Sequence, residues 1–128
     1  MEHANATMYR RVMDAFQGGD IESLKDALAP DVRWHEAGNP TVIEGRDAVL
    51  ARMPGGGPLE VKVESHEVLA NDEHVIALSR ATFTKPDGTT ISYPAVDVLH
   101  VNEGVVTERW AFMDACPSDV TSFFETLG

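Results

Sequence analysis

The sequence predicts an α+β domain in which N-terminal helices pack on one face of an antiparallel sheet. Apolar residues recur at helical spacing in roughly the first fifty positions and alternate at period two from residue 59 to 113. Helices first and strands afterwards is the pattern of segregated layers rather than of alternating βαβ units. At 128 residues the chain is long enough for one core and too short for two, so residues 1–128 are read as a single domain.

Met8, Val12, Ala15 and Phe16 share a helix face, and Gly18-Gly19 ends that helix. Asp20 is a good N-cap for a second short helix with Leu24, Ala27 and Leu28 inward, which Pro30-Asp31 stops. Residues 32–36, VRWHE, read as a strand and Gly38-Asn39-Pro40 as a turn. A third helix fits about 45–53, with Val49 and Met53 inward and Pro54 as its stop. PGGGP at 54–58 reads as a plain connector, because it follows a helix and lacks the lysine of a phosphate-binding loop. Leu59, Val61 and Val63 then alternate with Glu60, Lys62 and Glu64 in a half-exposed strand. VIALSRATF and ISYPAVDVLHV follow, joined by a hairpin at Pro86-Asp87-Gly88, and Asn102-Glu103-Gly104 turns the chain into VVTERWAFM. Ser118 can cap a last helix whose stripe is Val120, Phe123, Phe124 and Leu127. Several strands are apolar on both sides, so the second face needs a cover, and a second copy of the chain is the natural one.

The composition, 43% hydrophobic and 24% charged, is that of a globular protein. A net charge of −11 argues against nucleic acid and anionic membrane as partners, since both require a basic face. No apolar stretch reaches the length of a membrane span, and the N-terminus lacks a signal-peptide apolar core. The single cysteine, Cys116, fits a reducing, cytoplasmic setting.

Asp97 stands out inside the apolar run PAVDVLHV. On an alternating strand it shares a face with Ala95 and Leu99, while His100 lies opposite with Val96 and Val98. Burial without a partner would raise its pKa and leave a protonated acid able to donate, and a neighbouring arginine or backbone amides would make it structural instead. Trp34 and Glu36 share a face, so a pocket-facing tryptophan brings that glutamate with it as a proton acceptor. His35 points the other way, as a polar contact or dimer residue. Trp110 and Phe112 alternate with Arg109, Ala111 and Met113, one set lining the core or pocket and the other the covered convex face. The candidate lining for a small apolar or aromatic ligand is Trp34, Phe83, Leu99, Trp110 and Phe112. Tyr93 could lend a hydroxyl, and Arg80, a cation in an apolar strand, could pair with Glu36 or Asp97. His66, His74 and His100 are scattered, with no zinc spacing, so no metal is expected. No setting for a serine or cysteine nucleophile is recognisable.

The stretches GGDIESLKDALAPDVRWHEAGNP, EGRDAVLARM and PAVDVLHVNEGVVTERWAF and the closing acidic turn resemble the nuclear-transport-factor-2-like superfamily, specifically its SnoaL-like branch, related to polyketide cyclases and ketosteroid isomerases. The resemblance implies a cone, in which a curved antiparallel sheet wraps an enclosed apolar pocket closed by the N-terminal helices, usually as a homodimer. It also implies cofactor-free chemistry. Lined up with ketosteroid isomerases, Glu36 falls on the carboxylate that abstracts the proton and Asp97 on the neutral acid that donates to the enolate oxygen. The tyrosine that completes that oxygen's site should fall near Val12, which cannot donate. The arginine and two aspartates of the epoxide hydrolases do not fit either: Arg80 could be the arginine, but Thr82 and Ala111 stand where the acids belong. Three classes remain open: a cofactor-free isomerase or cyclase moving a proton next to a carbonyl, a non-catalytic binder of an apolar ring compound, and a structural dimer module with a filled cone.

Overall fold

The computed structural model describes residues 2–37, 39–52 and 59–125. Helix α1 spans Ala4–Gly18 and ends as expected, with Gly19 left-handed at φ 71° and its N–H closing onto Ala15 and Phe16. Asp20 caps α2 (Ile21–Ala27) by accepting from the Ser23 backbone N–H at 3.2 Å. Strand β1 (Leu28–His35) begins immediately, four residues earlier than predicted. Pro30 therefore lies inside a strand, where a register shift between Leu28 and Arg33 removes the need for its missing N–H. A two-residue strand β2 (Ile43–Glu44), not foreseen, pairs with β1 ahead of α3 (Arg46–Ala51). The predicted roles of Met53, Pro54, the 54–58 loop and Leu127, and of the Phe124 side chain, lie outside the described residues.

The meander follows as β3 (Glu60–Ala70), β4 (His74–Thr84), β5 (Thr90–Asn102) and β6 (Val105–Met113), and α4 (Pro117–Glu125) closes the chain. Glu103 and Gly104, with φ of 50° and 79°, form the tight β5–β6 turn, which needs two successive left-handed residues. The six strands form one curved, unclosed sheet in the order β2-β1-β6-β5-β4-β3. All neighbours are antiparallel except β1 and β6, so the sheet is mixed rather than wholly antiparallel. The first long strand enters beside the last one and runs in the same direction, which a meander alone would not produce.

Helix α1 packs on β3 and β4, and defines an inner face. Its buried stripe is Asn5, Ala6, Tyr9, Val12 and Ala15. Ala6 and Tyr9 meet Val68, Val75, Ala77, Leu99, Val101 and Val106 from the sheet, with Val32 and Val49 from β1 and α3, while Val12 and Ala15 pack with Leu24 of α2. The Asn5 amide also ties α1 to the β3–β4 turn, donating to the carbonyls of Asn71 and Asp72. On the outer face, Leu69, Ile76 and Phe112 are 54%, 40% and 55% exposed. Among the described residues no helix is long and apolar enough to cross a membrane.

Candidate functional site

Asp97 faces inward from the middle of β5. Its cross-strand neighbours are Ala77 and Ala111, and Ala95 precedes it on the same face. Three alanines leave space above the strand that larger side chains would fill. Two long polar side chains use that space. The Tyr9 hydroxyl, from α1, donates to Asp97 Oδ2 at 2.6 Å. Arg109, paired with Leu99 on the neighbouring strand, donates from Nη2 to Asp97 Oδ1 at 2.9 Å. Asp97 is 8% exposed and Tyr9 1%, so the cluster belongs to the interior. Burial, then the charge and bond of Asp97, push the Tyr9 phenol far above its ordinary range, so it stays a neutral donor.

Arg109 is held from its other side as well. Strand β1 lies parallel to β6 with Trp34 opposite Arg109, and the guanidinium sits over the indole, 4.5 Å from the ring centre. Glu36 follows two residues later, beyond the strand end, and Trp34 lies on the inner face beside Arg109. Its carboxylate is clamped by Arg52, at 2.6 Å from Nη2 and 3.1 Å from Nε, and accepts from the Asn39 amide at 3.3 Å. Burial raises its pKa, but the bonds from Arg52 and Asn39 and the charges of Arg52 and Arg109 outweigh that, and the net shift is downward. Arg109 thus stands between two carboxylates, bonded to one and attracting the other.

Tyr93 and Phe83 line the same inner face nearer the distal end, their rings 6.2 Å apart. The Tyr93 hydroxyl makes no hydrogen bond among the described residues. Its pKa is raised mainly by burial, with the charges of Arg109 and Asp97 also felt. Leu99 is buried beside Asp97.

Three placements depart from the sequence reading. Trp110 and Phe112 pair with Val98 and Val96 and so project from the outer face, away from Asp97. Trp110 stacks on His35 and meets the edge of His100 there. Arg80 also points outward, bonding Ser92 at 3.1 Å, and Arg109 takes the place proposed for it beside Asp97. A tyrosine does reach Asp97 from α1: it is Tyr9, one helical turn before Val12 on the same stripe. The periodicity that selects Val12 and Phe16 also includes Tyr9, at i−3 and i−7. Arg109 carries no comparable signal: choosing between the two faces of β6 requires knowing which face α1 covers.

The histidines differ from expectation too. His74 and His100 are cross-strand neighbours on the outer face, in edge contact at 4.9 Å. Among the described residues no three His, Cys, Asp or Glu side chains are grouped to hold a metal ion. Two surface cavities, of about 580 and 380 Å³, lie between α1 and α2 and beside the start of α3, and neither is lined by Asp97.

Comparison with known structures agrees with this architecture. The chain superposes on an NTF2-like protein of unknown function from Burkholderia pseudomallei with a TM-score of 0.77 at 22% identity, covering 94% of this chain and 97% of that one. An epoxide hydrolase of the LEH-like type from M. tuberculosis gives 0.75 at 21% identity, covering 96% and 88%. A protein provisionally assigned as a SnoaL-like polyketide cyclase from Jannaschia sp. gives 0.72 at 20% identity, covering 99% and 96%. At these identities the likeness concerns the fold. No curated protein sequence matches the chain. The model of the SnoaL-like domain family matches residues 9–109, which reach from Tyr9 to Arg109, and the chain belongs to that family.

Proposed function

We propose that the inner face is a small-molecule site for an apolar ring compound bearing a carbonyl or weakly acidic oxygen, and that the protein moves a proton next to that oxygen without a cofactor. The observation that carries this reading is the buried Tyr9–Asp97–Arg109 cluster above a floor of alanines. A buried ion pair is a weak source of stability, and such pairs with perturbed neighbours concentrate at sites of chemistry. Arg109 has five N–H donors, and its hydrogen bond to Asp97 uses one of them. With the neutral Tyr93 hydroxyl it would hold the ligand oxygen, and losing one such donor typically costs about 3–4 kcal/mol of transition-state stabilisation.

The roles differ from those implied by the resemblance. Both Asp97 oxygens accept hydrogen bonds, one from Tyr9 and one from Arg109, which is an acceptor's part rather than a donor's. We therefore assign Asp97 as the group that accepts the proton. Glu36, drawn down in pKa by Arg52, is assigned to fixing charge at the entrance rather than to abstracting the proton. Phe83, Leu99 and Trp34 supply apolar lining.

The test is deuterium exchange at the carbon next to the carbonyl of small cyclic ketones in D₂O, followed by proton NMR. The wild type should catalyse exchange and Asp97→Asn should not. Binding is read separately, as quenching of tryptophan emission by 2-naphthol. Trp34→Phe should remove the response and Trp110→Phe should preserve it. Quenching without exchange would leave a non-catalytic binder, a second reading favoured by the hydrogen bonds that both Asp97 oxygens already accept.

The exposed Leu69, Ile76 and Phe112 on the outer face support a homodimer assembled sheet to sheet. Sedimentation at micromolar concentration should give twice the chain mass, and a monomer would remove this part of the proposal.

A further inference from the structure

The parallel junction of the sheet holds part of the candidate site. Trp34 and Glu36 reach Arg109 only because β1 lies in one register against β6, and that pairing is parallel, short and interrupted between Leu28 and Arg33. Parallel pairs are somewhat less stable per residue than antiparallel ones. A slip by one residue would turn Trp34 and Glu36 outward and bring His35 inward.

Contacts on the outer face hold that register. His35 Nε2 lies 2.7 Å from Glu108 Oε2, while the His35 ring stacks on Trp110 at 5.0 Å and 4°. His35 thus grips β6 at two outward positions that bracket Arg109. Arg33 adds a looser contact, with Nη1 3.8 Å from Glu108 and Nε 3.7 Å from Glu44 of β2. His35 and Glu108 side chains are only 23% and 19% exposed, which limits screening of the pair.

We infer that His35 and Glu108 form a latch on the outer face that positions Trp34 and Glu36 against Arg109 on the inner face. His35 is a positioning residue, since it touches nothing in the site itself. The latch deepens the proposed function and rests on it for its effect on ligands, but its effect on geometry is independent of any ligand.

The experiment has a ligand-free arm and a ligand arm, on the full chain. Without ligand, the Trp34 indole N–H resonance and amide exchange across residues 32–36 are followed by NMR. His35→Ala and Glu108→Ala should shift that resonance and speed exchange in β1. His35→Gln, which keeps a donor at the Nε2 position, should restore both towards wild type. Thr82→Ala, on the outer face away from β1, should change neither. With 2-naphthol as probe, His35→Ala should weaken binding on the order of tenfold, the scale of a displaced site group. An unmoved Trp34 resonance in His35→Ala would overturn the latch. A His35→Gln variant as perturbed as His35→Ala would also overturn it, in favour of ring packing on Trp110. Absence of naphthol binding in the wild type, with the NMR shifts present, would refute the proposed site while sustaining the latch. If His35→Ala fails to fold, Glu108→Gln in the same two arms decides between the same outcomes.

Discussion

The two faces of β5 and β6 solve opposite problems with alternate residues of the same strands. Asp97 and Arg109 face inward, beneath a helix, where an ion pair is sheltered from water by Tyr9, Trp34 and the core. Val96, Val98, Trp110 and Phe112 face outward, away from α1, and Phe112 remains 55% exposed. Apolar Phe112 therefore lies largely in water while charged Asp97 is buried, the reverse of what each prefers in isolation. Folding stability alone would exchange them. The difference teaches that folding of the isolated chain does not by itself account for either face, which is why we propose a ligand for the inner one and a cover for the outer one.

The largest effect should come from breaking the inner pair. Arg109→Met leaves Asp97 buried without its cation and should destabilise the fold by about 3–5 kcal/mol in urea denaturation. Asp97→Leu combined with Arg109→Met should regain most of that loss, because an apolar pair of similar volume suits the setting. A double variant as unstable as the single one would mean that the pair holds the fold, which would weaken the contrast between the faces.

Tyr9→Phe should rank second. It removes one hydrogen bond to a charged group and should cost about 1.5–3 kcal/mol in the same denaturation, with packing otherwise retained. An effect below about 0.5 kcal/mol, the level of ordinary surface changes, would show that Asp97 draws its support from Arg109 alone.

Phe112→Glu should behave in the opposite way to the inner variants. At an exposed outer position, its stability change should stay within about 0.5 kcal/mol for the dissociated chain. Sedimentation should nevertheless shift from dimer to monomer, since burying a new carboxylate against a second copy is unfavourable. A dimer that survives Phe112→Glu would place the interface elsewhere.

The smallest effect concerns pH. The folded-state pKa of Glu36 is lowered despite its burial, so its stabilising contribution is present above the usual glutamate range and is lost as pH falls through the lowered value. Melting temperatures of wild type and Glu36→Gln should differ at neutral pH and converge in acid. Curves that stay apart at low pH would mean that the Arg52 clamp does not govern this group.

Local pattern makes much of the fold legible. Gly19, the Asp20 cap and the Glu103-Gly104 turn act through nearest neighbours, so each can be placed from its own few residues. Alternation alone puts Asp97 with Leu99 and Trp34 with Glu36. Pro30 is misleading because a bulge, which depends on the partner strand, makes room for it within β1. Trp110 and Phe112 are misleading because alternation sorts a strand into two sets without saying which set is inside. Tyr9 lies on the same apolar stripe as Val12, and helical spacing does not say which of the two reaches the acid on β5.

By itself the sequence determined the helices, the meander, the excess of apolar surface on two sheet faces and the presence of an acid on one of them. Those features follow from spacing and from local backbone preference. Only the tertiary structure decided that β1 runs parallel beside β6, that α1 covers the Arg109 side, and that Tyr9 meets Asp97 across 88 positions of chain. The physical reason is that a strand's two faces are equivalent until another element packs on one of them. Long-range packing then chooses which residues share the low-dielectric interior, and the chemistry of the site comes from that choice.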